Sequence, residues 1–244
     1  MTDQALPPFA PSTLRTLRQL GLNQPHLLRQ TGAVKAFLLL KAAGLTVTRS
    51  VLWQLAAACD PRHTPPGPET QNALLAAVKQ HPPVALPPDR AQALHWMGLA
   101  LQQAEQAARQ GEIPVGAVIV KNGLLLAAAR NDCRTSHDIS RHAEICALAQ
   151  AGRRLGNFRL DGCDAYITLE PCTMCASALI QARVARVMFG ASEPKTGAAG
   201  SVIDLFADKR LNSHTAVFGG LMAEESQNIL QHFFQQRRKQ KGLT

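Results

Sequence analysis

The 244-residue chain is 46% apolar and 18% charged, with a formal net charge of +9 at pH 7. That composition is enough for a packed core and excludes a disordered or fibrous chain, while the length admits one large domain or two small ones. The basic balance supports a polyanionic partner bound through phosphate neutralisation, and its spread, with 8 Lys+Arg against 3 Asp+Glu in residues 1–88, excludes a polybasic arm.

Taken in order, the first stretch carries repeated helical punctuation. Ser12 caps a helix closed by Gly21, and Pro25 opens a second closed by Gly32. A third runs from Ala33 to Gly44, Thr48 caps a fourth that ends at Cys59, and a fifth covers residues 69–80. Leu14, Leu17, Leu20, Leu28, Leu52 and Leu55 recur at helical spacing, which predicts a compact all-α module over residues 1–81. The proline pairs Pro82-Pro83 and Pro87-Pro88 stop helices and stiffen the chain, so residues 82–88 read as a linker.

Residues 89–244 change character. Asp89 can cap a helix reaching residue 110 with Leu94, Met97, Leu101 and Ala104 along one face. Residues 114–121 and 124–129 read as strands joined by the Asn122-Gly123 hairpin turn. A loop over 130–140 leads to a helix near Arg141, then come a strand at 164–169, a helix from the Pro171-Cys172 turn, and strands at 185–190 and 215–218. A helix over 223–240 follows. This order predicts a three-layer α/β/α domain with a mixed sheet.

Two short stretches carry the chemistry, His142-Ala143-Glu144 and Pro171-Cys172-Thr173-Met174-Cys175. One imidazole and two thiolates suit a tetrahedral zinc with an open fourth position, as catalytic sites keep, whereas structural sites close with four protein ligands. Glu144 sits about 200° around a helix from His142, which argues against a fourth ligand but leaves it able to hydrogen-bond the zinc-bound water. Cys146 is four residues after His142 on the same helix face and could close the site. The closed site leaves Glu144 and Pro171 without a role, and the open one uses both. The remaining cysteines show no disulfide-like spacing, which fits a reducing cytoplasm. Asp3 and its neighbouring prolines stand where a signal peptide needs basic residues, and the longest apolar run stops at Lys41, which argues against export and a membrane span.

The H-x-E and P-C-x-x-C pair is the signature of zinc nucleobase deaminases. The stretches Glu112-Ile113-Pro114-Val115-Gly116-Ala117, Leu169-Glu170-Pro171-Cys172 and Lys195-Thr196-Gly197-Ala198-Ala199-Gly200-Ser201, with Phe233-Phe234 and Arg237-Arg238 near the end, resemble the bacterial tRNA-specific adenosine deaminases. The resemblance implies a cytidine-deaminase-like fold and a cytoplasmic, zinc-dependent homodimer with one zinc per chain. It also implies hydrolysis of adenosine to inosine at the wobble position of an arginine tRNA, with Glu144 as proton shuttle and Asn131 holding the target base or its ribose. Asn131 could instead close the preceding strand with an Asx turn. Lys195, Arg237 and Arg238 are the expected contacts to anticodon stem-loop phosphates, with Lys239 and Lys241 extending the basic helix end and Phe233 and Phe234 pinning it to the core. Alternatives are a guanine or cytidine deaminase of the same superfamily, or a non-catalytic, zinc-stapled nucleic-acid-binding protein. The chain departs from the family at Ile139 and Arg141, where a proline and a small residue are expected, and at Glu193, where aspartate is expected.

Residues 10–80 resemble the C-terminal domain of TfoX/Sxy-type competence regulators, through Gly21, Gly32-Ala33-Val34, Lys41-Ala42-Ala43-Gly44 and Leu52-Trp53. That likeness implies a helix-hairpin-helix-like module. Its Arg15, Arg18, Arg29 and Lys35 are open to two readings, as contacts to nucleic-acid backbone or as solvated helix faces.

Overall fold

The computed structural model describes residues 9–81, 84–208, 210–211 and 215–242. Pro82 and Pro83 of the expected linker, and the Lys241 side chain, lie outside the described residues. The chain divides into two compact units, Met1–Leu86 and Pro87–Thr244. No helix among the described residues is long and apolar enough to cross a membrane.

The first unit is all helical: α1 (Pro11–Gln19), α2 (Pro25–Thr31), α3 (Ala33–Ala42), α4 (Arg49–Cys59) and α5 (Pro68–Gln80). Its core is Phe9, Leu17, Leu22, Leu28, Ala36, Leu40, Leu55 and Ala58. Three of the five helices open on proline, whose fixed φ suits the first turn and whose missing N–H would be unpaired there anyway. In α1 that device replaces the expected side-chain cap. Ser12 lies inside α1, behind Ala10 and Pro11, and Thr48 occupies the N-cap position of α4 without making a cap hydrogen bond. Gly32 alone joins α2 to α3, with φ of 78°, a left-handed value that a side chain resists.

The second unit is built on a five-stranded mixed sheet. Its strands are β1 (Gly116–Lys121), β2 (Leu124–Arg130), β3 (Cys163–Leu169), β4 (Arg186–Ala191) and β5 (Ala216–Phe218), in the order β2-β1-β3-β4-β5. β1 runs antiparallel to β2 and β3, and β3, β4 and β5 run parallel to one another. The β1–β2 hairpin turns through Asn122 and Gly123, both at positive φ, as a two-residue turn demands.

Period-two alternation divides the sheet between two helical layers. Ala117, Ile119, Ala165 and Ile167 face α8 (Ala143–Leu155) and α9 (Thr173–Gln181), packing against Ala143, Ala147, Ala151 and Leu179. Val118, Val120, Tyr166 and Met188 face α6 (Arg90–Arg109) and α10 (Ala223–Lys241), with Met97, Ala100, Leu101 and Ile229 opposite. Each wholly buried side chain of Ile or Met size contributes about 1.5–3 kcal/mol, so the two faces hold the strand ends that carry the site. Gly116 admits α6 so closely that a Cβ there would run into the backbone of Ala100 and Ala104. Asp89 caps α6 by accepting the N–H of Gln92 at 3.1 Å. The loop expected over 130–140 contains one further helical turn, α7 (Cys133–Ser136). Across β3 and β4, Asp164 and Arg186 are register partners joined by a two-point ion pair, 2.7 Å from Nε and 2.5 Å from Nη2.

Candidate active site

Both motif stretches fall at helix starts. His142 is the N-cap residue of α8, and Cys172 is the N-cap residue of α9, which follows directly from the end of β3. His142 Nδ1 lies 3.7 Å from Cys172 Sγ and 3.4 Å from Cys175 Sγ. A tetrahedral zinc with ordinary Zn–N and Zn–S bonds separates such a nitrogen and sulfur by about 3.6 Å. The donor set and its spacing therefore fit zinc. Among the described residues this trio is the group of three or more ligand side chains that could hold a metal. Cys146 lies elsewhere, in the apolar cluster with Ala143, Ala147 and Ile167, and burial pushes its thiol up.

The two thiols are electrostatically unequal. A hydrogen bond from Cys175 pulls the Cys172 thiol down to about 4 against the effect of burial, and His142 adds a further hydrogen bond and its charge. Its bond to Cys172, burial and the charge of Glu144 push the Cys175 thiol up. His142 is raised, first by its bond to Cys172 and against burial, with Glu144 adding charge.

Glu144, in the first turn of α8, is 4% exposed. Burial pushes its carboxyl up, although its own backbone amide, the His142 charge and a bond to Cys175 work against that. A buried carboxyl beside the ligand trio is suited to moving protons. Asn131 is also buried, and its Oδ1 accepts the N–H of Ala143 at 2.8 Å, fastening the start of α8. This is not the Asx turn that its place after β2 allows, because the bond reaches across 12 residues.

Two buried carboxylates that had no assigned role hold the loops around the trio. Glu170, 2% exposed, accepts the amides of Glu193 at 3.0 Å, Ala199 at 2.9 Å and Ser201 at 3.0 Å, and the Ser201 hydroxyl. Burial pushes its carboxyl up, but these four donors outweigh it and hold the group below the ordinary value. Gly197 sits against this carboxylate so tightly that a Cβ would come within 2.5 Å of Glu170 Cδ, and it bridges to Cys172. Glu112, 1% exposed, accepts the amides of Arg134 at 2.9 Å and Thr135 at 2.7 Å and the Thr135 hydroxyl at 2.9 Å, so it caps α7 from a distance in sequence. Glu193 caps its own turn, its Oε1 accepting the N–H of Lys195 at 2.9 Å.

Lys195, Arg237 and Arg238 share one groove of about 940 Å³, with Ile113, Arg134 and Phe234 among its other walls. Phe233 is buried and carries the Arg237 guanidinium 5.8 Å from its ring centre, whereas Phe234 is 46% exposed. Only Phe233 pins the helix. Both rings line the groove, but Phe234 stands open in it, because adjacent helix positions point about 100° apart. The groove combines cations with an exposed aromatic ring, the side chains that bind single-stranded nucleic acid.

Residues 91–238 match the family model of MafB19-like deaminases. The chain belongs to that deaminase family. Residues 4–78 match the TfoX C-terminal domain, as the sequence of the helical unit led us to expect. Curated relatives of the deaminase unit include the tRNA-specific adenosine deaminases of Agrobacterium fabrum, 42% identical over 61% of this chain and 97% of that protein, and of Bacillus subtilis, 40% identical over 60% and 91%. A structure from studies of A-to-I editing by tRNA:A34 deaminases at the wobble position of transfer RNA is 43% identical, with a TM-score of 0.55 over 56% of this chain and 99% of that one. The resemblance to bacterial tRNA-specific adenosine deaminases and the cytidine-deaminase-like fold are therefore both borne out. A guanine deaminase from Nitrosomonas europaea, at 23% identity and a TM-score of 0.52, shares the fold.

Proposed function

We propose that this deaminase converts adenosine to inosine at the wobble position of tRNA, an arginine tRNA in particular, as a cytoplasmic homodimer with one zinc per chain. The observation that carries this reading is the pairing of an open three-ligand trio, with buried Glu144 beside it, and a groove lined by Lys195, Arg134, Arg237 and Arg238. A free base needs no row of cations, whereas an anticodon loop offers both an unpaired base and flanking phosphates. The names of the relatives, tRNA-specific adenosine deaminases, agree with this choice.

His142, Cys172 and Cys175 would hold the metal, which when bound supplies a Lewis acid with an open position for water. Glu144 would take a proton from the attacking water and pass it to N1 of the adenine as the water oxygen adds to C6. A second proton carried by Glu144 reaches the exocyclic nitrogen, the C6–N bond breaks, and ammonia leaves with inosine as the other product. Asn131, anchored through Oδ1, keeps its amide nitrogen for the base or ribose. Lys195, Arg237 and Arg238 take the phosphates, and the anticodon stem-loop is the partner.

The test is inosine mapping in cellular tRNA with and without the protein, beside purified enzyme assayed on an arginine anticodon stem-loop, adenosine, guanine and cytidine. Inosine at the wobble position that disappears on depletion is the expected result. Turnover of guanine or cytidine with none on the stem-loop would assign the site to another deaminase.

A further inference from the structure

The loop between Asn131 and His142 is closed at its ends by a pair of charged residues. Asp132 donates its N–H to the Arg141 carbonyl at 3.0 Å, and the Arg141 guanidinium donates to Asp132 Oδ2 at 3.1 Å. Just outside this double link, Asn131 Oδ1 accepts from Ala143, the residue after His142. Three successive bonds therefore fix the distance between the side chain offered to the base and the side chain offered to the metal. Inside the loop the same ends are braced again. Ser136 Oγ donates to Asp132 Oδ2 at 2.5 Å, Asp138 Oδ1 accepts the N–H and hydroxyl of Ser140, and Arg141 donates its N–H to the Asp138 carbonyl.

The ion pair is half open to water, with side-chain exposures of 47% for Arg141 and 32% for Asp132. A pair so exposed contributes little to global stability, so its place at the junction of two functional side chains calls for another explanation. We propose that Asp132 and Arg141 form a positioning clasp that sets Asn131 against His142, so that the base meets the metal and Glu144 in reacting geometry. The inference rests on the deaminase reading above. The pair acts through its neighbours and touches no reacting atom. Misplacement of a reacting group by about 1 Å can cost on the order of 10²-fold in rate, far out of proportion to what the pair contributes to folding. The clasp also occupies a guanidinium that would otherwise stand unpaired one residue from a metal ligand.

The experiment compares the zinc-loaded full chain with Arg141→Ala, Asp132→Ala and the double variant. On an arginine anticodon stem-loop, each single change should lower kcat by about 10- to 100-fold with KM, bound zinc and Tm nearly unchanged. The double variant should be no worse than Asp132→Ala alone, since that change already removes the Arg141 pair together with the Ser136 bond. Amide exchange supplies a readout independent of turnover: the Ala143 N–H should exchange faster in both variants. A KM increase confined to Arg141→Ala would instead make Arg141 a phosphate contact and overturn the clasp, as would additive losses or unchanged kcat. If the wild-type chain deaminates no tRNA, the function reading fails separately, and Ala143 exchange still decides. Faster exchange in both variants upholds the clasp, and unaltered protection overturns it.

Discussion

Glu170 Oε1 accepts the backbone N–H of Ser201 at 3.0 Å across 31 residues of sequence, so the residue before the Pro171-Cys172 turn also shapes the Gly-rich loop. With Glu193 and Ala199 on the same carboxylate, one buried charge ties the metal turn to the segment that carries Lys195. Glu170→Gln keeps the shape but turns an NH₂ toward amide donors whichever way the group is flipped. A buried donor left unpaired costs about 1–3 kcal/mol, which for a chain of this length lowers Tm by about 2–4 °C per kcal/mol. Loss of thermal stability with faster proteolysis in the loop over 193–201 is the expected outcome. An unchanged melting curve would show that the loop stands without this anchor.

The ligand assignment separates Cys146 from the other thiols. Cys172→Ser or Cys175→Ser should strip the metal, because three-ligand sites tolerate no missing thiolate, whereas Cys146→Ser should keep it at the cost of some core packing. Metal content by mass spectrometry of the native protein decides. Loss of zinc in Cys146→Ser would restore the closed, four-ligand site.

Glu144→Gln should bind zinc normally and fold, yet lose activity by about 10³- to 10⁴-fold, the upper part of the range for a general acid–base, since one carboxyl serves several transfers. Retention of more than a tenth of the rate would remove Glu144 from the chemistry.

The strings that carry chemistry were legible because they are local. His142, Glu144 and the Cys172–Cys175 pair lie a few residues apart within helix starts, and Asp89 caps α6 through a neighbour three residues on. Glu112 and Glu170 were not legible, since their roles depend on amides 22 to 31 residues away that only the fold brings near. Phe234 illustrates a third case. Its pairing with Phe233 suggested shared burial, but helix phase decides, and it buries one ring in the groove wall and leaves the other exposed there. The proline start of α1 displaced the expected Ser12 cap for the same kind of reason, because backbone preorganisation and side-chain capping compete for one position.

Tyr166 is the chain's single tyrosine and is buried at 1% exposure between β3 and the α6 layer. Burial, with the charge of Asp164 adding, pushes its hydroxyl up to about 12, against a smaller pull from Arg186. The folded value exceeds the unfolded value of about 10, so this residue's contribution to stability is fully present below pH 10 and is lost as pH rises toward 12. Phenolate absorbance during alkaline titration should show a native midpoint near 12 and a midpoint near 10 in denaturant. A native midpoint near 10 would place the ring in water.

The groove makes the most direct claim on substrate. Arg237 is held over the buried Phe233 ring, so its charge is aimed and not frayed, and Arg238, Lys195 and Arg134 line the same surface. Each phosphate neutralised on a single strand releases counterions and contributes about −0.7 to the slope of log K against log salt. Arg237→Ala with Arg238→Ala should therefore weaken binding of an anticodon stem-loop at low salt, flatten that slope by about one to two units, and leave zinc content unchanged. Phe234→Ala should behave differently. A lost base stack costs about 1–3 kcal/mol and carries no charge, so affinity should fall with the salt slope intact. Binding measured across a salt series, with inosine formation scored on the same samples, separates the two. An unaltered slope in the arginine double variant would return that helix end to solvent, and equal rates on the stem-loop and on free adenosine would remove the groove from substrate recognition.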